Sequence, residues 1–486
     1  VSVHLYRPFS VKHLLEAIPA SCKKIAVLDR TKEPGANGEP LYLDVKDAFY
    51  DAPNRPLIVG GRYGLGSADT TPTMIISVYD NLALPQPKDH FTLGIVDDVT
   101  FRSLPLEEEK ALGGEGIFEA KFYGLGADGT VGANKNSIKI IGDNTDMYAQ
   151  AYFDYDSKKS GGVTMSHLRF GKKPIKSTYL IKKADFVACH NPSYINKYNM
   201  VQELVDGGTF LLNCPWDMAG LEENLPGQVK AYIANHNIKF YTIDGIKIGK
   251  EIGLGGRINT ILQSAFFTLA NIIPHEEAIS LMKQAAEATY SKKGDKIVQM
   301  NYDAIDAGAE QIVEIRVPES WKTCGDEGLF APHIKGGREE VVDFVEHIQK
   351  QVNAQEGNEL PVSAFQKYVD GTTPSGTSAY EKRGIAVDIP VWIAENCIQC
   401  NRCSYVCPHA VVRPIALTEE EAQNAPEGMQ MLDMMGMPGM KFAITVSAYD
   451  CTGCGSCANV CPGKKGEKAL ELRNMVENAG RQVYFD

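Results

Sequence analysis

The sequence lacks the features of membrane proteins and of nucleic-acid-binding proteins. It has no run of roughly 18 consecutive apolar residues, the minimum for a membrane-spanning helix. Its 49 Lys and Arg residues are outnumbered by 61 Asp and Glu residues, and the formal net charge is −12. Basic residues form no stripe of the kind that binds phosphate backbones. We therefore expect no membrane segment and no nucleic-acid partner.

The N-terminus also lacks the features of a secretory signal. It reads Val1-Ser-Val-His4, without an initiator Met, a basic segment or an apolar segment. It resembles a start in mid-strand, so we expect the chain to be part of a longer polypeptide. Its 486 residues correspond to about three to four domains. Hydrophobic content of 44% and charged content of 23% are ordinary for globular domains.

Cysteine is the residue type with the most distinctive pattern. Eight of the twelve cysteines form two copies of C-x2-C-x2-C-x3-C-P, the spacing of bacterial ferredoxins that carry two [4Fe–4S] clusters. In such proteins the fourth cysteine of each run binds the cluster of the other run. The spacing therefore predicts two crossed quartets of metal ligands. They are Cys397, Cys400, Cys403 and Cys461 for one cluster, and Cys451, Cys454, Cys457 and Cys407 for the other.

Zinc and disulfides are the alternatives for these cysteines. Structural zinc closes with four ligands, commonly as two Cys pairs, and gives no reason for two quartets that each end in Cys-Pro. Disulfide frameworks are typical of small secreted domains, whereas this chain is large. Because iron–sulfur thiolates need a reducing compartment, we expect the cytoplasm of an anaerobe or an anaerobic organelle. Cys22, Cys189, Cys214 and Cys324 are isolated in sequence, and we assign no catalytic residue among them.

The fold class predicted is a multidomain α/β chain: two open parallel-sheet domains, a small connector and an α+β bacterial-ferredoxin-like domain. Residues 1–118 form the first domain, with short apolar strands at 25–29, 56–60 and 91–96 and a helix over 11–19. The glycine-rich loop 60–66 follows a strand, where parallel sheets place ligands. A plain turn is the simpler interpretation of that loop.

Residues 119–311 are predicted to form the second α/β domain. Gly124, Gly126 and Gly129 satisfy G-x-G-x-x-G, but no acidic residue follows at the spacing of a dinucleotide site. The pattern indicates an anion-binding loop, with Lys135 nearby and a second basic loop at Lys158 and Lys159. Apolar spacing predicts a strand at 184–189, a helix at 195–206 and a strand at 209–213. Asn259 begins a long helix, where it either caps the helix or contacts a ligand.

The remaining sequence divides into a connector and a cysteine-rich module. Residues 312–387 combine short charged helices with segments rich in Gly, Pro, Ser and Thr, and residues 388–486 carry both cysteine runs. Six methionines lie between the runs, at positions 429, 431, 434, 435, 437 and 440. We interpret them as apolar cover over a cluster or a neighbouring domain, with a methionine metal site as the alternative.

Along its whole length the chain resembles the pyruvate:ferredoxin oxidoreductase family. The resemblance depends on the two cysteine runs and on six further segments. These segments are Tyr6-Arg-Pro-Phe9, Ala26-Val-Leu-Asp-Arg-Thr-Lys-Glu-Pro-Gly35, Gly124-Leu-Gly-Ala-Asp-Gly-Thr-Val-Gly-Ala-Asn-Lys-Asn136, Val163-Thr-Met-Ser-His-Leu-Arg169, Asn213-Cys-Pro-Trp216 and Tyr380-Glu-Lys-Arg383. It implies a transketolase-C-terminal-like domain (1–118), a γ-type domain (119–311), a connector with Glu-Lys-Arg (312–387) and a ferredoxin-like domain (388–486).

The resemblance implies oxidative decarboxylation of pyruvate with coenzyme A to acetyl-CoA and CO2. Electrons would pass through the [4Fe–4S] clusters to an external ferredoxin or flavodoxin. It also implies that the second domain binds coenzyme A. The contacts it implies are Ala127, Asp128, Gly129, Thr130, Val131, Lys158 or Lys159, Asn259 and Asn301. Backbone N–H groups and a lysine suit the phosphates of coenzyme A, and amides suit its adenine and ribose.

The chain departs from the family at the thiamine diphosphate site. It has no Gly-Asp-Gly motif followed by a distal Asn; the nearest sequence, Gly142-Asp-Asn144, lacks the second glycine. We therefore expect thiamine diphosphate, Mg²⁺ and a third [4Fe–4S] cluster in domains outside this chain, which alone should not decarboxylate pyruvate. The full-length enzyme is expected to be a homodimer. The alternatives are an oxidoreductase for another 2-oxo acid, such as 2-oxoglutarate, and a pure electron-transfer module that binds no coenzyme A.

Overall fold

The computed structural model describes residues 1–107, 109, 116–126, 128–158, 161–325 and 336–486. These residues form two compact units. Unit 1 comprises Val1–Gly124, Asp128–Asp154 and Thr164–Ser375, and unit 2 comprises Leu125–Ala127, Tyr155–Val163 and Gly376–Asp486. The described residues include no helix with the length and hydropathy needed to cross a lipid bilayer.

The N-terminal part of unit 1 is a small parallel α/β fold. Its strands are β1 (Lys24–Asp29), β2 (Leu57–Arg62) and β3 (Phe91–Thr92), in the order β1-β2-β3, and its helices are α1 (Val11–Ala17), α2 (Pro40–Ala48) and α3 (Pro72–Ala83). The strand predicted at 91–96 is shorter because Gly94 turns the chain at φ +69°. Gly61 is required in β2, since a Cβ there would lie 2.2 Å from the Phe91 ring.

The larger part of unit 1 is built on a seven-stranded sheet in the order β10-β9-β8-β7-β4-β6-β5. β4 pairs in parallel with β7, β7 with β8 and β8 with β9, while β10 is antiparallel to β9. The strands are β4 (Ile117–Leu125), β5 (Tyr148–Tyr155), β6 (Val163–Gly171), β7 (Ala184–Cys189), β8 (Leu204–Asn213), β9 (Lys239–Ile243) and β10 (Val313–Glu314).

Helices cover one face of this sheet with an aromatic core. The Phe266 ring lies 5.0 Å from that of Phe122 and 5.2 Å from that of Phe186, in edge-to-face geometry. All three are at most 2% exposed. The helices in this part of the chain are α4 (Thr130–Asn144), α5 (Met218–Asn224), α6 (Gly227–Asn235), α7 (Gly245–Ile252), α8 (Asn259–Ala270), α9 (His275–Tyr290) and α10 (Asp295–Glu310).

The helix predicted at 195–206 is wrong. The segment contains a short 3-10 turn at Val201–Glu203, after which β8 begins at Leu204. Another 3-10 turn precedes it, capped by Asn191, whose Oδ1 accepts from Ser193 N at 3.0 Å. Ile195 and Met200 are fully buried, so their spacing reflects burial of one side of an irregular crossover. Gly207 continues β8 at φ +75° and does not end a helix.

The other face of the seven-stranded sheet carries a buried ion pair. Lys121 Nζ donates to both Glu203 carboxylate oxygens at 2.6 Å, and Tyr123 Oη donates to the same carboxylate at 2.6 Å. Burial lowers the pKa of Lys121, and the charge of Glu203 opposes that shift. Because the pair is buried, loss of either Lys121 or Glu203 would leave the charge of the other without a partner.

Replacing Lys121 by Met is expected to lower the free energy of unfolding by about 3 kcal/mol, because the buried Glu203 carboxylate loses its cationic partner. Urea unfolding followed by circular dichroism measures the change. The double variant K121M/E203Q should recover most of the loss. An equal loss in the double variant would show that packing of the lysine stem, and not its charge, is what matters.

Unit 2 is an α+β fold with two small antiparallel sheets, β11-β15 and β12-β14-β13. Its strands are β11 (Asp388–Trp392), β12 (Val412–Leu417), β13 (Leu432–Asp433), β14 (Lys441–Val446) and β15 (Leu470–Asn474). Its short helices are α11 (Arg402–Tyr405), α12 (Glu419–Gln423), α13 (Ser456–Val460) and α14 (Met475–Asn478). The segment before it, in unit 1, contains one helical stretch, Glu339–Asn353, with an internal π-helical turn at Val345–Gln349.

The predicted fold class is confirmed: the chain combines parallel-sheet α/β domains with a C-terminal α+β domain that carries both cysteine runs. The division at residues 118, 311 and 387 stays a prediction.

Candidate functional site

Two cavities in unit 2 are each lined by four cysteines. One is lined by Cys397, Cys400, Cys403 and Cys461, and the other by Cys407, Cys451, Cys454 and Cys457. Each set takes three cysteines from one run and the fourth from the other run. The geometry therefore brings together the same two crossed quartets that the spacing predicts.

Each quartet lines its own cavity. Within the part of the chain that the structure describes, no group of three or more His, Cys, Asp or Glu side chains is close enough to hold a single metal ion. All twelve cysteines are free of disulfide bonds. A zinc ion needs its sulfurs about 2.3 Å from one centre, whereas a cube of iron and sulfide holds its four thiolates further apart. The spacing of the two runs is that of ferredoxins with two [4Fe–4S] clusters.

Left-handed backbone bends the two cysteine loops in the same way. Gln399 and Asn401 in the first loop have φ near +57°, and Gly453 and Gly455 occupy the corresponding positions in the second with φ of +70° and +75°. The bend allows Gln399 N–H to donate to Cys397 Sγ at 3.4 Å, and Gly453 N–H to donate to Cys451 Sγ at 3.3 Å. Hydrogen bonds to sulfur are one of the protein's means of setting cluster potential.

The fourth cysteine of each run also accepts a backbone hydrogen bond. Val411 N–H donates to Cys407 Sγ at 3.4 Å, and Ala469 N–H donates to Cys461 Sγ at 3.3 Å. Burial raises the pKa of Cys403 to about 12 and that of Cys451 to about 11. Without a cluster these sulfurs therefore hold protons at neutral pH, and cluster assembly must release them.

Three of the six methionines pack as apolar cover in this module. Met429, Met431 and Met434 contact its buried core, whereas Met435 is 70% exposed. Gln399 connects the segment to the first cysteine loop: its Nε2 donates to Asp433 O at 2.8 Å, and its Oε1 accepts from Met435 N at 2.9 Å.

The glycine loop, residues 124–129, leads directly into α4. Gly129 precedes the helix at φ +87°, and a Cβ there would lie 3.2 Å from Asn259 Cγ. Asp128 Oδ1 accepts from Thr130 N at 2.8 Å. Val131 is the second residue of α4, so N–H groups of the first turn are available to an anion. Ala127, the first predicted contact, lies outside the described residues.

His190 is a site residue that sequence reasoning missed. Its Nδ1 lies 2.7 Å from Thr130 Oγ1, and its Nε2 is buried with no hydrogen-bond partner among the described residues. Asn213 Nδ2 donates to His190 O at 2.8 Å, which joins the ends of β7 and β8. Its place in the sequence could have identified it. His190 directly follows β7, and the carboxyl end of β7 lies at the same edge of the sheet as the end of β4, where the glycine loop begins.

Burial lowers the pKa of His190 from 6.5 to about 4. Between these values the folded state binds fewer protons than the unfolded chain, so stability is complete above 6.5 and falls as pH declines toward 4. We expect a loss of roughly 2 kcal/mol from this residue between about pH 7 and 4.5. Urea unfolding at both values measures it. H190Q should reduce this dependence of stability on pH. Some dependence should remain in H190Q, because burial also lowers the pKa of His167, and it too should make the protein less stable at low pH. A slope unchanged in H190Q would contradict this.

The remaining predicted contacts lie on separate elements. Asn259 is the first residue of α8, beside Gly129. Asn301 lies on α10, which packs against α8, and its Nδ2 donates to Ile297 O at 2.8 Å within its own helix. Lys158, in unit 2, has its Nζ 3.9 Å from Asp156 Oδ2. Lys159 lies outside the described residues.

Comparison with known proteins places three matches along the chain. The family described as pyruvate ferredoxin/flavodoxin oxidoreductase matches residues 119–311. A domain of unknown function called EKR matches residues 335–386, and a 4Fe-4S dicluster domain matches residues 396–465.

Curated relatives extend the similarity to nearly the whole chain. A pyruvate-flavodoxin oxidoreductase of Enterobacter agglomerans is 55% identical over 474 residues, which are 97% of this chain and 40% of the relative. A pyruvate:ferredoxin oxidoreductase of Moorella thermoacetica is 54% identical over 98% of this chain and 40% of its own length. A pyruvate dehydrogenase [NADP(+)] of Cryptosporidium parvum is 45% identical over the whole chain and 26% of its own length.

The chain thus spans about two fifths of the first relatives that it matches. The similarity to these relatives extends from the first α/β domain through the cysteine-rich module. The match at residues 119–311 contains the glycine loop, and the match at residues 396–465 contains the cysteine quartets. Residues 119–311 thus match the pyruvate ferredoxin/flavodoxin oxidoreductase family, and nearly the whole chain is similar to a part of longer curated oxidoreductases of that name.

Proposed function

We propose that the chain is the coenzyme-A-binding and electron-exporting portion of a pyruvate:ferredoxin (flavodoxin) oxidoreductase. The observation that carries the proposal is the crossed pair of cysteine cavities, each lined by four sulfurs. Each cavity would hold one [4Fe–4S] cluster, bound by the quartet that lines it. When bound, the clusters supply one-electron transfer at potentials tuned by hydrogen bonds and burial.

The complete reaction converts pyruvate and coenzyme A into acetyl-CoA, CO2, one proton and two electrons. Thiamine diphosphate, Mg²⁺ and a third cluster would be held outside this chain, where the carbon chemistry takes place. The two electrons would leave through unit 2, one at a time, to an external ferredoxin or flavodoxin. The named activities of the relatives support pyruvate as substrate. We also propose that the complete enzyme is a homodimer in a reducing compartment.

The glycine loop is the proposed coenzyme A site. Gly129 gives the ligand access to the first turn of α4 because it has no side chain, and the N-terminus of a helix attracts phosphate. Asn259, beside the loop, would contact the ligand with its amide, while Lys158 and Lys159 would supply positive charge. Asn301 and Ala127 would complete the set of contacts. His190 is a positioning residue, which holds the loop through Thr130.

Calorimetric titration of the full chain with coenzyme A tests this site. We expect saturable binding that weakens at least tenfold in K158A/K159A, because two charges are removed from the phosphates. Lys292, an exposed lysine outside the proposed contacts, provides the matched control K292A, which should bind as the parent does. Absence of saturable binding in the parent would favour the alternative, an electron-transfer module without a thioester carrier.

A further inference from the structure

A cavity in unit 1 lies on the face of the seven-stranded sheet opposite the aromatic core of Phe122 and Phe266. Its volume is about 780 Å³, within the usual range for metabolite sites. Residues alternate across the sheet: Phe122 and Leu168 pack in the helix-covered core, whereas Lys121, His167 and Arg169 line the cavity. Arg30, which directly follows β1, also lines it. The cavity therefore lies at the carboxyl end of a parallel strand, the usual place for a ligand.

His167 lines this cavity and carries a buried nitrogen that has no hydrogen-bond partner among the described residues. Ile181 N–H donates to His167 Nδ1 at 3.2 Å, so the proton of the neutral ring is on Nε2. His167 is 2% exposed, and its Nε2 has no hydrogen-bond partner among the described residues. Burial and the charges of Lys121, Lys182 and Arg169 lower its pKa well below 6.5. The ring is thus a fixed hydrogen-bond donor surrounded by cations.

Arg169 presents a second donor two residues further along β6. Its Nε donates to Glu119 Oε1 at 2.6 Å, and its Nη1 donates to Gln150 Oε1 and Tyr179 O. The residue is only 2% exposed. Its Nη2 is buried and has no hydrogen-bond partner in the described part of the chain. Residues two apart on a strand project from the same face about 7 Å apart. His167 and Arg169 therefore project from the same face of β6, and both line the cavity.

Four acidic side chains line the cavity: Asp69, Asp154, Glu203 and Glu356. Glu203 accepts from Lys121 and Tyr123, and Asp69 accepts from Leu180 N at 3.0 Å. Glu356 lines another part of the wall, where burial raises its pKa. Two buried donors without acceptors are unfavourable unless a ligand or solvent satisfies them. The complementary group has several acceptor oxygens and negative charge.

We propose that this cavity binds a metabolite-sized ligand through a carboxylate or phosphate group that accepts hydrogen bonds from His167 Nε2 and Arg169 Nη2. The cavity shares no residue with the proposed coenzyme A site. The proposal for this cavity does not depend on the proposed function. Because Glu356 lines another part of the wall, we expect the other end of the ligand to carry a hydroxyl or an amide and not a second negative charge.

Thermal unfolding of the full chain with sodium phosphate, sodium acetate or sodium chloride at equal ionic strength tests the proposal. Coenzyme A is present throughout, so that its loop is saturated. We expect phosphate, acetate or both to raise Tm saturably by about 3 °C beyond chloride. Which anion acts distinguishes a phosphate ligand from a carboxylate ligand. No saturable rise with either anion would overturn the proposal.

Variants at His167 separate this site from any other anion site. H167L removes the donor and should weaken anion binding at least tenfold, whereas H167Q keeps an N–H donor and should retain much of it. K158A at the coenzyme A loop and K172A at an exposed lysine should bind phosphate as the parent does. If H167L binds as the parent does, or if K158A alone abolishes binding, the assignment is wrong. If H167L does not fold, R169Q, which removes the second buried donor, takes its place and should weaken anion binding at least tenfold.

Discussion

Replacing Cys407 by Ser is expected to destroy the cluster whose other ligands are Cys451, Cys454 and Cys457. Cys407 lines the cavity of that quartet although it belongs to the other sequence run. Serine is a poor substitute for a thiolate, so the variant should retain about four irons per chain in place of about eight. Electron paramagnetic resonance of the reduced protein should then show one cluster, without the spin–spin broadening of two.

Cys461→Ser provides the reciprocal variant. It should remove the cluster of Cys397, Cys400 and Cys403 and leave the other intact. Cys324, which lines neither cavity, gives the control C324S, and its iron content should equal that of the parent. The double variant C407S/C454S identifies the cluster that C407S removes. It should lose no more iron than C407S alone, whereas loss of both clusters in the double variant would show that ligation is not crossed.

Replacing Gly129 by Val is expected to abolish most coenzyme A binding. The residue has φ +87°, where a β-branched side chain is strained, and its Cβ would lie 3.2 Å from Asn259. The loop must therefore shift at the first turn of α4, and we expect at least tenfold weaker binding in calorimetry, since about 1.4 kcal/mol is sufficient for that change.

Gly132 offers a matched control in the same helix. A Cβ at this position meets no atom within 4 Å, and φ is helical. G132A should bind coenzyme A as the parent does and should be slightly more stable, by about 0.5 kcal/mol, because alanine favours helix. Equal binding by G129V and the parent would exclude this loop from the coenzyme A site.

The cysteine arrangement could be predicted from sequence because it depends on spacing. Loops with the same spacing must bend in the same way to direct three sulfurs inward, and the structure shows this at Gln399, Asn401, Gly453 and Gly455. Buried parallel strands were also predictable, since an apolar run as short as Ala184–Cys189 is typical of a strand that is covered on both faces.

The irregular crossover and the buried polar residues could not be predicted. Tyr198 and Val201 have the i, i+3 spacing of a helix face, but Asn191 and the early start of β8 leave room only for short turns. His167, Arg169 and His190 are single polar residues next to or within apolar strands. Only the three-dimensional structure shows that His190 meets Thr130 and that His167 and Arg169 line one cavity.

Iron and acid-labile sulfide per chain are the most direct test of the central claim, that two crossed cysteine quartets each hold a [4Fe–4S] cluster. Anaerobic reconstitution followed by colorimetric analysis should give about eight irons and about eight sulfides per chain. About four of each, stoichiometric zinc without sulfide, or cysteines found in disulfides would contradict the account.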